Sequence, residues 1–410
     1  MTEKMNPLAE TNVRKNILLD QFDKAGGIFR LKPTWVARNS MPPGRRLGLS
    51  EAQYSMGERG WISERWLGST TKADNQIGPA EEGLSYLNLS DGHEITLRDA
   101  IEMIPELIMG EMYSKTHAGL GRLAKFFDMS DRIAFHFHQQ KKDAIKVGRN
   151  SKEEAYYFPP GVDMGLHPET FFGFHPTLIE PTNREAILDR LIMWNDDRIL
   201  QHSRAYQLYP DDGFHVPAGI PHAPGTALTL ELQEDSDVFA ILQAKAGDEL
   251  IPKELLFKDV SEDDHKELGE RIILDQIDWE LSCDVFFYEN RHTPPILIHE
   301  SIQSGGQEFW IFYNTSKFSG KKLVVKPACE YISRDAGVYN LLVWQGEGNF
   351  AELEIKAGNF EFEELIITHG RATQPITVRN TGNEDLILFK FFGPDINLDV
   401  PMINPYRLTP

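Results

Sequence analysis

The chain has 410 residues, with 42 Lys and Arg against 62 Asp and Glu and a formal net charge of −20. That balance disfavours sequence-independent nucleic-acid binding, which needs clustered Lys and Arg on phosphates, and an anionic membrane surface. No apolar run of about 18 residues is present to span a bilayer, the opening MTEKMNPLAETNVRKN lacks a hydrophobic signal core, and Cys283 and Cys329 are too few for a disulfide framework. The expectation is a cytoplasmic protein with a small-molecule partner, no nucleic acid and no membrane, and with homo-oligomer formation left open.

In chain order, the first 20 residues are polar and read as loose at their start. Residues 27–36 (GIFRLKPTWV) are strand-like, and 38–80, rich in Gly, Ser and Trp, read as loops with short strands. A helix follows with Thr96 as N-cap and Leu97, Ile101, Ile104 and Leu107 at helical spacing. Toward His138 the period changes to two: Ala134, His136 and His138 alternate with Phe135 and Phe137, which is strand. Residues 183–202 (NREAILDRLIMWNDDRILQH) read as helical, 208–243 as strand and turn. A boundary is expected within the charged, strand-poor stretch 245–290. From 296 to 394, alternating runs separated by turn residues (FWIFYN, KLVVK, YNLLVWQGEG, FAELEIKAG, ITVRN, LILFKFFG) point to an all-β sandwich or barrel. GEGNF (346–350) reads as a hairpin turn rather than a phosphate cradle.

Three separated stretches supply candidate metal ligands. His136 and His138 share a strand face, so both imidazoles can meet one ion. Glu154 opens an aromatic strand, and His222 follows a tight turn built by Pro217, Gly219 and Pro221. Imidazoles with one carboxylate suit zinc, iron, manganese or nickel. In TLELQ, Leu230 and Leu232 point one way and Thr229, Glu231 and Gln233 the other, which puts the Glu231 carboxylate on an inner face near the metal strand.

The pattern HxH…E…PxGxxH resembles the metal signature of the cupin superfamily, and the surrounding text resembles the type I phosphomannose isomerases. ISERWLGST (62–70), LAKFFDMSDRIAFHFH (123–138), KEEAYYF (152–158), FFGFHP (171–176), HVPAGIPHAPG (215–225) and LELQEDSD (230–237) carry the likeness, which covers about 60 to 240. The resemblance implies a mainly β fold with helical insertions and two cupin-like (jelly-roll) β-barrels: a metal-binding domain at 20–250 and a second, degenerate barrel at 285–410. It implies His136, His138, Glu154 and His222 as ligands of one divalent metal, zinc first, with iron, manganese or nickel as alternatives. Lys152 and Glu231 would be active-site residues, and the substrate a sugar or sugar phosphate undergoing aldose–ketose isomerisation. Two positions depart from the family. His136 stands where it usually has Gln, and Ile241 where it has an active-site arginine; Arg291 is the candidate substitute. Trp66, Tyr156, Phe171 and Phe172 are candidates to line a sugar pocket. The alternative readings are an iron-dependent cupin oxygenase and a non-catalytic sugar-binding cupin.

Overall fold

The structure, a computed structural model, describes residues 7–39, 41–90, 92–298 and 305–407. It is mainly β, with several antiparallel sheets and helical insertions. The chain forms two compact units, each discontinuous in sequence. Unit 1 takes residues 1–36, 65–125 and 295–401; unit 2 takes 37–64, 126–294 and 402–410. The segments 1–36 and 65–125 therefore share a unit with 295–401, although in sequence they lie largely within or before the expected 20–250 domain. The charged 245–290 stretch falls wholly in unit 2, where it forms a short hairpin and a run of helices.

In unit 1 the alternating runs become two antiparallel sheets. Seven strands lie in the order Ile28–Arg30, Glu364–Ile367, Tyr339–Gln345, Leu386–Phe392, Ser319–Val325, Gly306–Phe312, Ile296–Leu297. Four more follow the order Glu330–Ser333, Ile376–Asn380, Glu347–Phe350, Leu353–Lys356. Leu323, Leu341 and Leu388 of the larger sheet share one buried core with Tyr331, Phe350, Ile376 and Val378 of the smaller. Two sheets closing on alternate residues of each strand is how a sandwich excludes water.

The N-terminal stretch is helical over Pro7–Ala25, with Leu18 in the unit 1 core and Leu19 and Phe22 packed against it; the loose start expected of it falls on residues 1–6, outside the described residues. Three local expectations need correction. The helix at Thr96 does start there, the Thr96 hydroxyl accepting from Asp99 N at 3.0 Å. It then breaks at Ile104, because Pro105 carries no N–H and excludes the helical conformation from the residue before it. The phase shifts across that break: Leu97, Ile101 and Ile104 are buried, but Leu107 is exposed. The 183–202 region is one α-helix, Glu185–Met193, flanked by 3₁₀ turns; Trp194 adopts φ +45° and ends it, its indole N–H donating to Ile251 O at 2.7 Å. Finally, Glu347–Phe350 is a strand, and the turn comes after it at Ala351, φ +51°.

Unit 2 holds a five-stranded antiparallel sheet in the order Ala240–Ile241, His136–Phe137, His222–Ala223, Glu169–Phe172, Arg204–Gln207. Phe135, Phe137, Ala223 and Ala240 form a core with Ile187 and Leu191 of one helix and Ile272 and Ile273 of another. The helical insertions thus cover that face of the sheet. A second layer of unit 2 is formed by Thr229–Glu234, Glu154–Phe158 and Asp212–Val216, paired antiparallel in that order.

Candidate metal centre

His136 and His222 sit directly opposite each other in register, and Phe172 is opposite His222 on its other side. Alternation does the rest: with Phe135 and Phe137 committed to the core behind, the imidazoles of 136 and 138 project from the other face. The turn before His222 depends on Gly219. Its φ is +89°, and a Cβ there would come within 2.6 Å of Gln140 Nε2. Gly219 N donates to His138 O at 2.8 Å, tying the two histidine segments together.

Glu154 comes from the second layer. Its entry segment is pinned by Glu234, whose Oε2 accepts from Ser151 Oγ at 2.8 Å and from Glu153 N at 3.0 Å. Register sets Glu231 opposite Tyr156 and Gln233 opposite Glu154, so Glu154, Tyr156, Glu231 and Gln233 share one face. The alternation read from TLELQ is the one the sheet displays.

The ligand atoms of His136, His138 and His222 all lie within 4.8 Å of one another. Glu154 Oε2 is 2.9 Å from His138 Nε2, and Oε1 is 2.9 Å from His222 Nε2. Each imidazole is held from behind by a backbone carbonyl: His136 Nδ1 meets Ala134 O at 2.7 Å, His138 Nδ1 meets Val238 O at 2.7 Å, and His222 Nδ1 meets Ile220 O at 2.9 Å. A carbonyl only accepts, so each Nδ1 carries the proton and each Nε2 turns a lone pair inward. This is the way metal-ligating histidines are oriented by their surroundings.

Burial reinforces the neutral form. It pushes His136 well below the usual imidazole range, and the crowding of a second proton charge against neighbouring His222 and His138 adds to the effect. It pushes His138 down to about 4, helped by the Lys152 ammonium. Burial alone would raise Glu154, but Lys152, His138 and His222 hold it well below the usual carboxylate range. With Nδ1 of each turned to a carbonyl, the Nε2 lone pairs of His138 and His222 face the Glu154 carboxylate oxygens at 2.9 Å, acceptor against acceptor. Buried His222 Nε2 has no hydrogen-bond partner among the described residues. A cation among these atoms removes that conflict, and three imidazoles with one carboxylate are a donor set that divalent zinc, iron, manganese or nickel accepts.

Lys152 is also here. Its Nζ lies 3.1 Å from His138 Nε2, 3.1 Å from Glu154 Oε2 and 3.5 Å from Glu231 Oε1. Burial works against its charge, but Glu154, Glu231 and Asp237 outweigh it and hold the ammonium above its ordinary range. Lys152 and Glu231 are both almost fully buried.

Arg291 is placed elsewhere. Its Nη1 meets His215 Nδ1 at 3.4 Å, and His215 Nε2 lies 2.9 Å from Glu153 Oε1. His215 is opposite Ala155 in register, hence on the face of the sheet away from Glu154. Ile241 is opposite His136, so the position departing from the family pattern adjoins the histidine cluster. Trp66 is fully buried in unit 1 with Val36 and Leu123, a packing residue rather than a pocket wall. Tyr156 and Phe172 do gather at the cluster, their rings 6.2 Å apart and Tyr156 also 6.2 Å from His222. The carbonyls of Ala134 and Ile220 each serve the histidine two residues ahead, a local device that residue identities do not reveal.

No family model and no curated protein matches this chain by sequence. Its fold does match solved structures. The mannose 6-phosphate isomerase from Bacillus subtilis superposes with a TM-score of 0.63 at 16% identity, covering 89% of this chain and 99% of that one. A His-to-Gln variant of phosphomannose isomerase from Salmonella typhimurium gives 0.60 at 13% identity, covering 90% and 100%. A zinc-bound mannose 6-phosphate isomerase gives 0.58 at 14% identity, covering 90% and 100%. None of the helices among the described residues is long and apolar enough to cross a membrane. The architecture built here from unit to strand is thus the cupin-type fold of the phosphomannose isomerases of known structure, extending over about nine-tenths of the chain.

Proposed function

We propose that the chain is a metal-dependent aldose–ketose isomerase that interconverts mannose 6-phosphate and fructose 6-phosphate or a closely related sugar pair. The observation that carries the reading is the convergence of three Nε2 lone pairs and the Glu154 carboxylate, with Lys152 and Glu231 beside them on the same inner face. His136, His138, Glu154 and His222 would hold one divalent ion, zinc first. When bound, such an ion supplies Lewis acidity toward the sugar carbonyl and alkoxide oxygens.

The remaining chemistry belongs to the protein. Isomerisation moves a proton between adjacent carbons, and a base must collect and redeliver it. Glu231 is that base: an inward carboxylate, desolvated, and poised against Lys152. The Lys152 ammonium, buried and kept charged, steadies negative charge on the reacting oxygen. Arg291 acts from behind, through His215 and Glu153, on the segment that carries Lys152 and Glu154. It is a positioning residue in this scheme.

The test is turnover of mannose 6-phosphate by zinc-loaded protein, followed as fructose 6-phosphate. Failure with all related sugars and phosphosugars while zinc is bound would remove the isomerase reading. Ile241 at the site favours a second reading, a sugar-binding protein without turnover. Thermal stabilisation by sugar phosphate that persists in Glu231→Gln, with no product formed by either form, would select it.

A further inference from the structure

We propose that Tyr156 is a positioning residue for the cation site: its hydroxyl fixes the Glu154 carboxylate toward the three imidazoles and thereby sets the affinity for the metal. The inference rests on the metal reading above and adds to it a residue outside the ligand set.

Tyr156 follows Glu154 by two on the same strand, so both side chains leave from one face. The Tyr156 hydroxyl donates to Glu154 Oε1. That oxygen is the one facing His222 Nε2 at 2.9 Å, while Oε2 lies 3.1 Å from Lys152 Nζ in an ion pair. The phenol donates a hydrogen bond to one carboxylate oxygen and the ammonium pairs by charge with the other. Free of the phenol, Oε1 would keep only its acceptor-against-acceptor approach to His222, and the carboxylate would turn away from the cluster. The ring itself has little freedom. Tyr156 is 2% exposed, with the Phe127 ring edge-on at 5.7 Å and the Phe172 ring stacked at 6.2 Å. The phenol is delivered to Oε1 by packing, in the way outer groups orient metal ligands.

The next residue is an internal control. Tyr157 pairs with Leu230 and Gly213 on the opposite face, and its hydroxyl donates to Asp211. It is as buried as Tyr156 and has the same chemistry, but it does not touch Glu154.

The experiment measures zinc affinity by competition with a chromophoric chelator, and the visible absorption of the cobalt-substituted protein, for wild type, Tyr156→Phe and Tyr157→Phe. Phenylalanine keeps the ring and its packing, and a melt of each metal-free protein checks the fold. Loss of an outer partner of a ligand typically weakens binding by about 10- to 100-fold. Tyr156→Phe is expected to weaken zinc by that range and to shift the cobalt bands, whereas Tyr157→Phe does neither. Wild-type affinity and an unmoved spectrum in Tyr156→Phe would overturn the proposal, as would an equal loss in Tyr157→Phe. Absence of zinc binding by the wild type would remove the metal reading and this one with it.

Discussion

Each unit buries a polar cluster against its sheets, and the two are built on opposite logics. In unit 1 the cluster centres on Lys390, fully buried, whose Nζ donates to Glu308 Oε1 at 2.5 Å, Ser333 Oγ at 2.7 Å and Asp335 Oδ2 at 2.9 Å. Lys321, directly opposite Lys390 in register, donates to Asp335 Oδ1 at 2.9 Å. Two like charges side by side on a sheet are tolerable here because Asp335 bridges both. All three N–H groups of Lys390 are spent, and two ammonium groups face two carboxylates. Burial alone would raise Asp335, but the two lysines hold it below the usual carboxylate range. In unit 2 the cluster is not closed in that way: the Nε2 lone pairs of His138 and His222 face the Glu154 carboxylate at 2.9 Å, acceptor against acceptor. A buried polar conflict is costly, so the unit 1 cluster is finished by its own side chains, while on the proposed reading that of unit 2 would be finished by an ion.

The contrast can be sharpened by experiment. The largest effect is expected at Glu231: Glu231→Gln should lower turnover by about 10²- to 10⁴-fold, the usual span for a general base, with zinc content unchanged. An equal loss of zinc would show that Glu231 serves the ion instead. Next is Lys390→Met, which leaves Glu308 and Asp335 buried without their cation. Breaking a buried pair on one side costs roughly 3–5 kcal/mol, measurable by denaturant unfolding, and zinc affinity should not move. A Lys390→Met protein as stable as wild type would break the comparison.

The third effect separates the clusters by pH. An unfolded histidine titrates near about 6.5, whereas His138 in the fold is held down to about 4. Between those values the unfolded chain takes up a proton that the folded chain refuses. Stability of the metal-free protein therefore falls as pH drops through that window, by about 3 kcal/mol from His138 alone at full extent. His138→Gln should flatten that slope; an unchanged slope would contradict the buried neutral imidazole. The smallest effect belongs to a simple cap: Thr96→Ala should cost about 1 kcal/mol by the same unfolding measurement, without effect on zinc.

Much of the geometry of the candidate site is legible in the sequence because strand periodicity is local. His136 and His138 share a face by counting alone, Gly219 between two prolines announces a turn, and TLELQ orients Glu231. What escaped depends on partners that periodicity cannot name. Lys390 reads as an interruption of LILFKFFG, since its partners lie 55 to 82 residues away in sequence. The Tyr156 phenol reads as one more aromatic in a strand, because a ring suits both a core and a hydrogen bond. Arg291 looked available for the site on charge alone; only the register of Ala155 with His215 shows which side of the sheet it serves. The helix breaks at Pro105 and Trp194 differ in kind. At Pro105 the apolar spacing runs on past a residue that ends a helix, whereas the left-handed turn at Trp194 has no signature in its residue type.

The most direct test of the central claim is anomalous scattering at the zinc edge from crystals of the zinc-loaded protein. One strong peak per chain is expected, within bonding distance of Nε2 of His136, His138 and His222 and of a Glu154 carboxylate oxygen. A peak elsewhere, or none at this cluster with zinc in excess, would contradict it.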